Sequence, residues 1–181
     1  MRVITGTARG RKLLTPEGLD TRPTSDMVKE AVFSIIQFEI EGAVFLDLFA
    51  GSGQMGIEAL SRGARAVSFV DNSREAQNVI LKNLEVTGFK PKAKVAMMES
   101  AAFVKATSDT FDIAFLDPPY NSGLIGQILP LLAEKMAPGG IIICESEKRE
   151  ELPDEAGSFK KHKEYRYGKI KLTSYRSGEA D

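Results

Sequence analysis

A stiff, oxygen-rich loop stands out in the second half of the sequence. It reads Asp117-Pro118-Pro119-Tyr120 and follows the apolar run 111–116. The two prolines fix their backbone φ angles and lack N–H donors, so the loop presents carbonyl and carboxylate oxygens. An exocyclic amine of a nucleobase is a poor nucleophile because its lone pair is delocalised into the ring. Acceptors at Asp117 and the Pro118 carbonyl would bind its two N–H groups and turn that lone pair toward an electrophile, while Tyr120 stacks on the base. We therefore predict that Asp117, Pro118, Pro119 and Tyr120 form a catalytic loop.

A glycine-rich turn lies between an apolar run and a segment of helical period. Gly51, Gly53 and Gly56 satisfy the G-x-G-x-x-G spacing, which lets the backbone approach a ligand closely. Asp71 lies twenty residues after Gly51, at the end of the next predicted strand, where a carboxylate can accept hydrogen bonds from ribose hydroxyls. The turn, its strand context and the acid together predict a nucleoside-binding site.

Asp47 helps to distinguish between the nucleosides that such a turn can bind. It lies near the end of the first predicted strand, where a carboxylate would repel a pyrophosphate but would hold an ammonium group, directly or through water. This favours S-adenosylmethionine, which has an amino acid end and no phosphate, over a nicotinamide dinucleotide. The alternative interpretation is a structural Asp hydrogen-bonded to the glycine turn.

With both loops in place, the sequence resembles the class I S-adenosylmethionine-dependent methyltransferases, and specifically the bacterial RsmD family, which methylates the guanine N2 amine of 16S ribosomal RNA. The likeness covers nearly the whole chain. Two features depart from the family: Ser34 stands where Asn is usual, and Glu99-Ser100 where Asp is common. The family-specific segments are Arg9-Gly10-Arg11-Lys12-Leu13, Arg22-Pro23-Thr24, residues 29–36 and Tyr167-Gly168.

The resemblance implies S-adenosylmethionine as the cofactor and S-adenosyl-L-homocysteine as its product. It implies that Asp71 binds the ribose, that the turn at 51–53 approaches the methionine end, and that residues 117–120 receive a flipped guanine. Catalysis would be mainly positioning, with the proton passing to Asp117 or a water. No metal ligand is expected. The implied cofactor residues are Asp47, Phe49, Ala50, Gly51, Gly53, Asp71, Asn72, Glu99, Ser100 and Asp117.

The resemblance also implies the substrate, one guanine of 16S ribosomal RNA at position 966, methylated during small-subunit maturation within a protein-assembled 30S particle. The charge distribution agrees with an RNA partner, because both ends of the chain are basic although 24 Lys and Arg nearly balance 25 Asp and Glu overall. Tyr165 and Tyr167 are interleaved with the C-terminal cations, and such rings stack on bases while cations hold phosphates. For the charge run alone, a solvated face is the alternative. The residues expected to hold RNA phosphates are Arg2, Arg9, Arg11, Lys12, Arg22, Lys160, Lys161 and Arg166.

The elements that must position these loops alternate between short apolar runs and helical segments from residue 43 onward. This predicts a Rossmann-like α/β fold with a mostly parallel seven-stranded sheet, helices on both faces and an antiparallel C-terminal hairpin. We expect one methyltransferase domain over residues 1–181, in which an N-terminal extension of residues 1–40, a β-hairpin and a helix, packs on a core of residues 41–181. The predicted strands are 2–5, 12–14, 43–48, 66–70, 94–98, 111–116, 141–145 and the hairpin 159–175; the predicted helices are 25–38, 54–62, 73–87 and 124–136, the last broken by residues 138–140.

Composition excludes several classes of protein. The N-terminus has no apolar stretch long enough for a signal peptide, and no window approaches the roughly 20 apolar residues of a membrane-spanning helix. We therefore expect a cytoplasmic monomer without a membrane role. Cys144 has no second cysteine to bridge to and lies in an apolar run, so we expect a buried thiol rather than a nucleophile.

Three other functions remain open to test. A DNA adenine-N6 methyltransferase would use the same Asp117–Tyr120 loop, but 181 residues leave little room for a segment that reads duplex sequence. A dehydrogenase would keep the glycine turn but has no use for the proline loop. A non-catalytic RNA-binding assembly factor on the same scaffold would not need that loop intact. Methyl transfer from S-adenosylmethionine into ribosomal RNA, DNA or neither separates these functions.

Overall fold

The computed structural model describes residues 1–17 and 25–177, which form an α/β fold around one eight-stranded sheet. In chain order the strands are β1 (Val44–Leu48), β2 (Ala66–Asp71), β3 (Ala93–Met97), β4 (Phe111–Leu116), β5 (Met136–Glu147), β6 (Glu155–Ala156), β7 (Phe159–Tyr167) and β8 (Ile170–Ser177). Their order across the sheet is β3-β2-β1-β4-β5-β8-β7-β6. The strands β1 to β5 pair in parallel, and β6, β7 and β8 add antiparallel pairs at one edge.

The third helix begins and ends at residues that the sequence marks as caps. Ser73 begins the third helix because its side chain accepts the N–H of Ala76 at 3.2 Å, and Gly88 ends it with a left-handed φ of 76°. The helices are α1 (Asp26–Ile35), α2 (Gln54–Ser61), α3 (Arg74–Thr87), a 3₁₀ turn (Lys90–Lys92), α4 (Ser100–Ala106) and α5 (Leu124–Ala133).

Two hydrophobic clusters cover the two faces of the sheet. On one face, which we call the N-terminal face, the N-terminal segment and α1 to α3 pack against the sheet around Val32, Phe45 and Ile57. On the other, the α5 face, α4 and α5 pack around Leu129 and Ile142. Burial of apolar side chains on both faces explains why β5 shows an uninterrupted apolar run.

The N-terminal segment is held on α2 by buried polar groups. Glu58 accepts the backbone N–H of Ile4 at 2.8 Å, and its Oε1 lies 3.8 Å from Lys29 Nζ, with neither side chain exposed. Lys29 also donates to the carbonyl of Arg2 at 3.0 Å. The predicted strands 2–5 and 12–14 shrink to one antiparallel bridge between Arg2 and Lys12. Val3 and Leu13 still donate across it to the Arg11 and Met1 carbonyls, but the N–H of Ile4 bonds to Glu58 of α2 instead of extending the ladder.

Several elements differ from the sequence-based predictions, and one of them is α5, which ends at Ala133 rather than residue 136. The helix α1 ends at Ile35 rather than residue 38, and the short helix α4 was not predicted at all. The strand β5 begins at Met136, and residues 138–140 form an irregularity in its pairing with β4 instead of breaking a helix. The two-residue strand β6 raises the number of strands to eight. The irregularity crowds the backbone, since a Cβ on Gly140 would lie 2.9 Å from the Ala137 carbonyl oxygen.

The structure bears on two further expectations, that Cys144 is a buried thiol and that the chain has no membrane-spanning helix. Cys144 is fully buried on β5, and burial raises the pKa of its thiol, which confirms the prediction of a buried thiol. Within residues 1–17 and 25–177, every helix is too short or too polar to span a bilayer.

Candidate active site

Four neighbouring parallel strands carry a carboxylate at or just beyond their carboxyl ends, all on the N-terminal face. Register sets Asp71, Asp117 and Glu145 at the same level and Asp47 two residues earlier, because Leu48 pairs with both Val70 and Leu116, and Leu116 pairs with Cys144. Alternation of side chains places each acid on the same face as the buried residue two positions before it. In spatial order across the sheet the acids are Asp71 (β2), Asp47 (β1), Asp117 (after β4) and Glu145 (β5).

The sequence predicted three of these acids and missed Glu145. The signal was available, because Glu145 ends the apolar run 141–144 in the same way that Asp117 ends the run 111–116. Glu145 is only 4% exposed. A buried acid at the carboxyl end of a parallel strand is typical of a ligand-binding edge in open α/β sheets.

A cavity of about 950 Å³ opens above this edge, and both predicted loops line it. Its wall also includes Glu145, Met27 of α1, and Thr15 and Pro16 of the N-terminal segment, where the sequence has no periodic pattern that would have predicted them. Gly53 alone among the predicted site residues of the two loops lies outside the lining. The predicted residues in the lining are Asp47, Phe49, Ala50, Gly51, Asp71, Asn72, Glu99, Ser100, Asp117, Pro118, Pro119 and Tyr120.

The glycine turn is fixed to the end of β2 through Asp71. One carboxylate oxygen of Asp71 accepts the N–H of Gly51 at 2.9 Å, and the other accepts the N–H of Ser73 at 2.9 Å. Each oxygen has a further lone pair that a ribose hydroxyl can use. The turn itself needs left-handed backbone at Phe49 (φ 66°) and at Gly53 (φ 79°), where the glycine fits without strain and the phenylalanine does not. Asp71 thus positions the turn and faces the cavity at the same time.

Asp47 lies below the turn and is almost completely buried, with 2% exposed. Its Oδ2 accepts the N–H of Gly56 at 3.0 Å. Burial raises the pKa of Asp47 to about 8, the Gly56 hydrogen bond lowers it in part, and the charge of Asp71 raises it further. Asp47 therefore has both features that the sequence suggested, a bond to the glycine turn and a place in the cavity wall. A cation beside it would lower its pKa and favour the carboxylate.

The proline loop turns its aromatic residue toward the cavity. The Tyr120 hydroxyl donates to Glu145 Oε1 at 3.1 Å, and its ring packs against the cluster of the N-terminal face. The next residue, Asn121, anchors the loop to the end of β5, because its Nδ2 donates to Glu147 Oε2 at 2.6 Å. Asp117 is half-buried and Pro118 is buried. The loop and the glycine turn thus face one cavity from neighbouring strands.

The lining of the cavity is acidic. Of the described residues that form it, none is Lys or Arg, whereas Asp47, Asp71, Glu99, Asp117 and Glu145 are acids. A pyrophosphate needs donors and positive charge, so this lining disfavours a dinucleotide. A ligand with a sulfonium and an ammonium group matches it.

Comparison with known proteins identifies the family. The family described as Conserved hypothetical protein 95 matches residues 1–176. The chain belongs to this family. Ribosomal RNA small subunit methyltransferase D of Escherichia coli is 34% identical over 186 residues, which cover 100% of this chain and 93% of that protein. The protein of the same name from Haemophilus influenzae is 40% identical over 159 residues, covering 84% and 81%.

Solved structures agree with this membership of the Conserved hypothetical protein 95 family. The structure of the Escherichia coli protein yhhF superposes with a TM-score of 0.87 at 35% identity, and it covers 98% of this chain and 97% of its own. The resemblance to the RsmD family and the Rossmann-like α/β architecture are both confirmed.

In this family member, the basic residues predicted to bind RNA lie on two different faces. Arg2, Arg9, Arg11 and Lys12 are exposed on the N-terminal segment. Lys160 shares their face, because it pairs in register with Arg176, whose guanidinium binds Glu39 just after α1. Arg22 lies outside the described residues.

Lys161 and Arg166 point to the α5 face instead. Lys161 pairs with Tyr175 of the α5-face cluster, and its ammonium donates to the Leu152 carbonyl at 3.1 Å. Arg166 alternates with Tyr165 and Tyr167, which pack on the N-terminal face. Strict two-residue alternation would place Lys160 and Arg166 on the same face. A bulge between Lys161 and Lys163 shifts the alternation by one residue, so the two side chains lie on opposite faces.

Proposed function

We propose that this chain transfers a methyl group from S-adenosylmethionine to the exocyclic N2 amine of one guanine in 16S ribosomal RNA, at position 966 by family resemblance. One observation carries the proposal: the Asp117–Tyr120 loop and the 51–53 turn line the same cavity. Relatives named as small-subunit ribosomal RNA methyltransferases support an RNA substrate. The finer assignment, guanine N2, follows from the proline loop and the resemblance.

S-adenosylmethionine is the cofactor of this family, and the acidic lining suits it. When bound, it supplies a methyl group already activated by a sulfonium. Asp71 would accept the ribose hydroxyls, and Asp47 would hold the ammonium group while Gly56 keeps its carboxylate in place. Asn72, Glu99 and Ser100 lie at the part of the cavity that β2 and β3 open into, where they would contact the adenine. Phe49, Ala50 and Gly51 would form the wall nearest the methionine end.

The proline loop would hold and orient the target amine. Asp117 and the Pro118 carbonyl accept its two N–H groups, which turns the nitrogen lone pair toward the methyl group. Pro119 keeps the loop stiff, and Tyr120 stacks on the base. After transfer, the extra proton leaves the nitrogen for Asp117 or a water. Because the guanine amine lies in the minor groove of a duplex, the base must be unpaired or extruded.

The exposed cations of the N-terminal segment would hold RNA phosphates beside this cavity, since Thr15 and Pro16 of the same segment line it. We propose a protein-assembled 30S particle as the substrate and a cytoplasmic monomer as the active form.

The test is methyl transfer with a labelled cofactor. Purified chain and S-adenosylmethionine tritiated on the methyl group are incubated with 30S particles, naked 16S ribosomal RNA or DNA from cells that lack the gene. We expect N2-methylguanosine in RNA from the particles, mapped to one position by nuclease protection. Label in N6-methyladenine of DNA would instead identify the DNA enzyme. No label in any substrate, with intact RNA binding, would indicate an assembly factor.

A further inference from the structure

We propose that Glu145 recognises the N1–H group of the target guanine and thereby excludes adenine from the site. This inference rests on the proposed function and extends it to the choice of base. It starts from the missed carboxylate at the end of β5, which belongs to neither the proline loop nor the glycine turn.

The position of Glu145 supports this role. Asp117 and Glu145 each follow a residue of the register pair Leu116 and Cys144, so they occupy equivalent positions on neighbouring parallel strands, which lie about 4.8 Å apart. Both line the cavity. An acceptor at Asp117 for the N2 amine thus has a second acceptor next to it, on the side away from Asp47.

The chemistry of the base edge matches this pair of acceptors. Guanine presents N1–H and the N2 amine as adjacent donors on its Watson–Crick edge, and a protein reads an unpaired base at that edge. Adenine has an acceptor at N1, which a carboxylate repels. The Tyr120 hydroxyl donates to Oε1 of Glu145 at 3.1 Å, and a carboxylate has about four lone-pair sites. Tyr120 therefore orients the carboxylate and still allows it to accept from the base.

A simpler role must be distinguished from recognition. In that role Glu145 serves the site through Tyr120 alone, as an anchor for the ring that stacks on the base. An anchor affects every substrate base equally, whereas a group that reads N1–H discriminates between bases with and without that proton. The ratio of rates on two such bases separates the two roles.

The experiment uses 30S particles whose 16S ribosomal RNA carries either guanine or 2,6-diaminopurine at the mapped position, prepared by splinted ligation and reconstitution. 2,6-Diaminopurine keeps the 2-amino group but has an acceptor at N1. We expect wild-type enzyme to prefer guanine in kcat/KM by about tenfold or more. Glu145→Gln places an amide donor beside N1, so it should reduce that preference by about tenfold.

Two control variants show whether a change in the guanine preference is specific to Glu145. Glu151→Gln makes the same acid-to-amide change at an exposed position outside the cavity and should keep the wild-type preference. Tyr120→Phe removes the hydroxyl that orients Glu145 but keeps the carboxylate, so it should lower the rate on both bases and retain most of the preference. Thermal unfolding shows that each variant is folded.

Two outcomes overturn the inference. One is a Glu145→Gln enzyme that slows on both bases with an unchanged ratio, which indicates an anchor only. The other is a wild-type enzyme that methylates both bases equally. This outcome can be observed even if the variants do not fold. If wild-type enzyme methylates no guanine in the particle, the proposed function fails instead, so the two failures are distinguishable.

Discussion

Asp47 accepts the backbone N–H of Gly56 at 3.0 Å and is buried beneath the glycine turn. The bond joins the end of β1 to the first turn of α2, across the loop that approaches the cofactor. It is also an unfavourable place for a charge, since burial raises the pKa of Asp47 to about 8. A carboxylate in this position therefore destabilises the protein without ligand and becomes useful when a cation binds. Two predictions test this relationship.

The first prediction concerns stability. The folded-state pKa of Asp47 lies above its unfolded value of 3.8. The stability that protonated Asp47 contributes to the fold is therefore fully present below about pH 4 and is lost as the pH rises toward 8. Asp47→Asn keeps an acceptor for Gly56 and removes the titration. The free energy of unfolding of the variant, relative to wild type, should increase between pH 5.5 and 8 by up to about 1.4 kcal/mol per pH unit. Urea unfolding without cofactor measures this difference, with the partly exposed Asp109→Asn as control. Parallel curves of stability against pH for Asp47→Asn and wild type would contradict the assignment.

The second prediction concerns binding. If Asp47 holds the ammonium group, it must lose its proton when S-adenosylmethionine binds near neutral pH. We expect the release of nearly one proton at pH 7, read from binding enthalpies in buffers of different ionisation enthalpy, and an affinity that rises with pH until about 8. Asp47→Asn should abolish the release. 5′-Methylthioadenosine, which lacks the amino acid end, should bind to wild type without it; proton release with that ligand would assign the proton to another group.

The third prediction separates catalysis from cofactor binding. Asp117→Ala removes the acceptor that orients the target amine, so methyl transfer should fall by roughly 10³-fold or more. Cofactor affinity should stay within about tenfold, because Asp71 and the glycine turn remain. Single-turnover rates and calorimetric affinities test the two halves. Asp109→Ala provides the control variant. Asp109 lies outside the cavity and forms an ion pair with Lys94 at 2.9 Å. A large loss of cofactor affinity would show that Asp117 belongs to the cofactor site.

The sequence predicted the parts of the fold that depend on local signals. The strand β4 agrees with the structure to the residue, and α3 begins one residue after the predicted start because Ser73 is its cap. Both agree closely because caps and apolar runs are local. The short helix α4 was missed since only Ser100 and Val104 of its seven residues are buried, which leaves almost no periodic signal. Irregular pairing at residues 138–140 depends on tertiary contacts with β4 and has no local signature.

The same distinction applies to the site. Asp117 was predicted because it lies between an apolar run and two prolines, and Asp47 and Asp71 because they lie at the ends of the predicted strands on either side of the glycine turn. The sequence did not predict that the N-terminal segment lines the cavity, because the position of that segment depends on polar residues buried in other elements. Asn83 illustrates this: it is polar yet fully buried on α3, whereas the apolar Val86 of the same helix is exposed. Helical spacing finds apolar faces and does not identify a polar side chain that joins two loops.

The fourth prediction tests this joint. Asn83 accepts the N–H of Leu14 at 2.7 Å and donates to the carbonyls of Leu14 and Ser52 at 3.0 and 2.9 Å. Asn83→Leu would leave these backbone groups without partners, so we expect a loss of about 2–4 kcal/mol in the free energy of unfolding. Asn78→Leu, an exposed position on the same helix, should change it by less than about 0.5 kcal/mol. Because Ser52 lies in the glycine turn, the Asn83 variant should also bind cofactor more weakly; equal stability of the two variants would contradict the role.

The fifth prediction concerns the face that binds RNA. Arg9 and Arg11 are exposed on the segment that lines the cavity, whereas the Lys161 ammonium already bonds to the Leu152 carbonyl on the α5 face. The double variant Arg9→Ala, Arg11→Ala should weaken binding to 30S particles. The slope of log affinity against log salt should become shallower by about 0.7–0.9 for each phosphate that these arginines neutralise in the wild type. The matched pair Lys161→Ala, Arg166→Ala removes the same charge from the opposite face.

That second pair should leave the salt slope unchanged, because a cation directed away from the cavity releases no counterion from RNA bound over it. Filter binding between about 50 and 200 mM salt covers the range in which the slopes separate. Equal slopes for the two pairs would mean that RNA wraps around the edge formed by β7 and contacts both faces. Both double variants remove the same charge, so a difference between their salt slopes would show that the N-terminal segment positions the substrate.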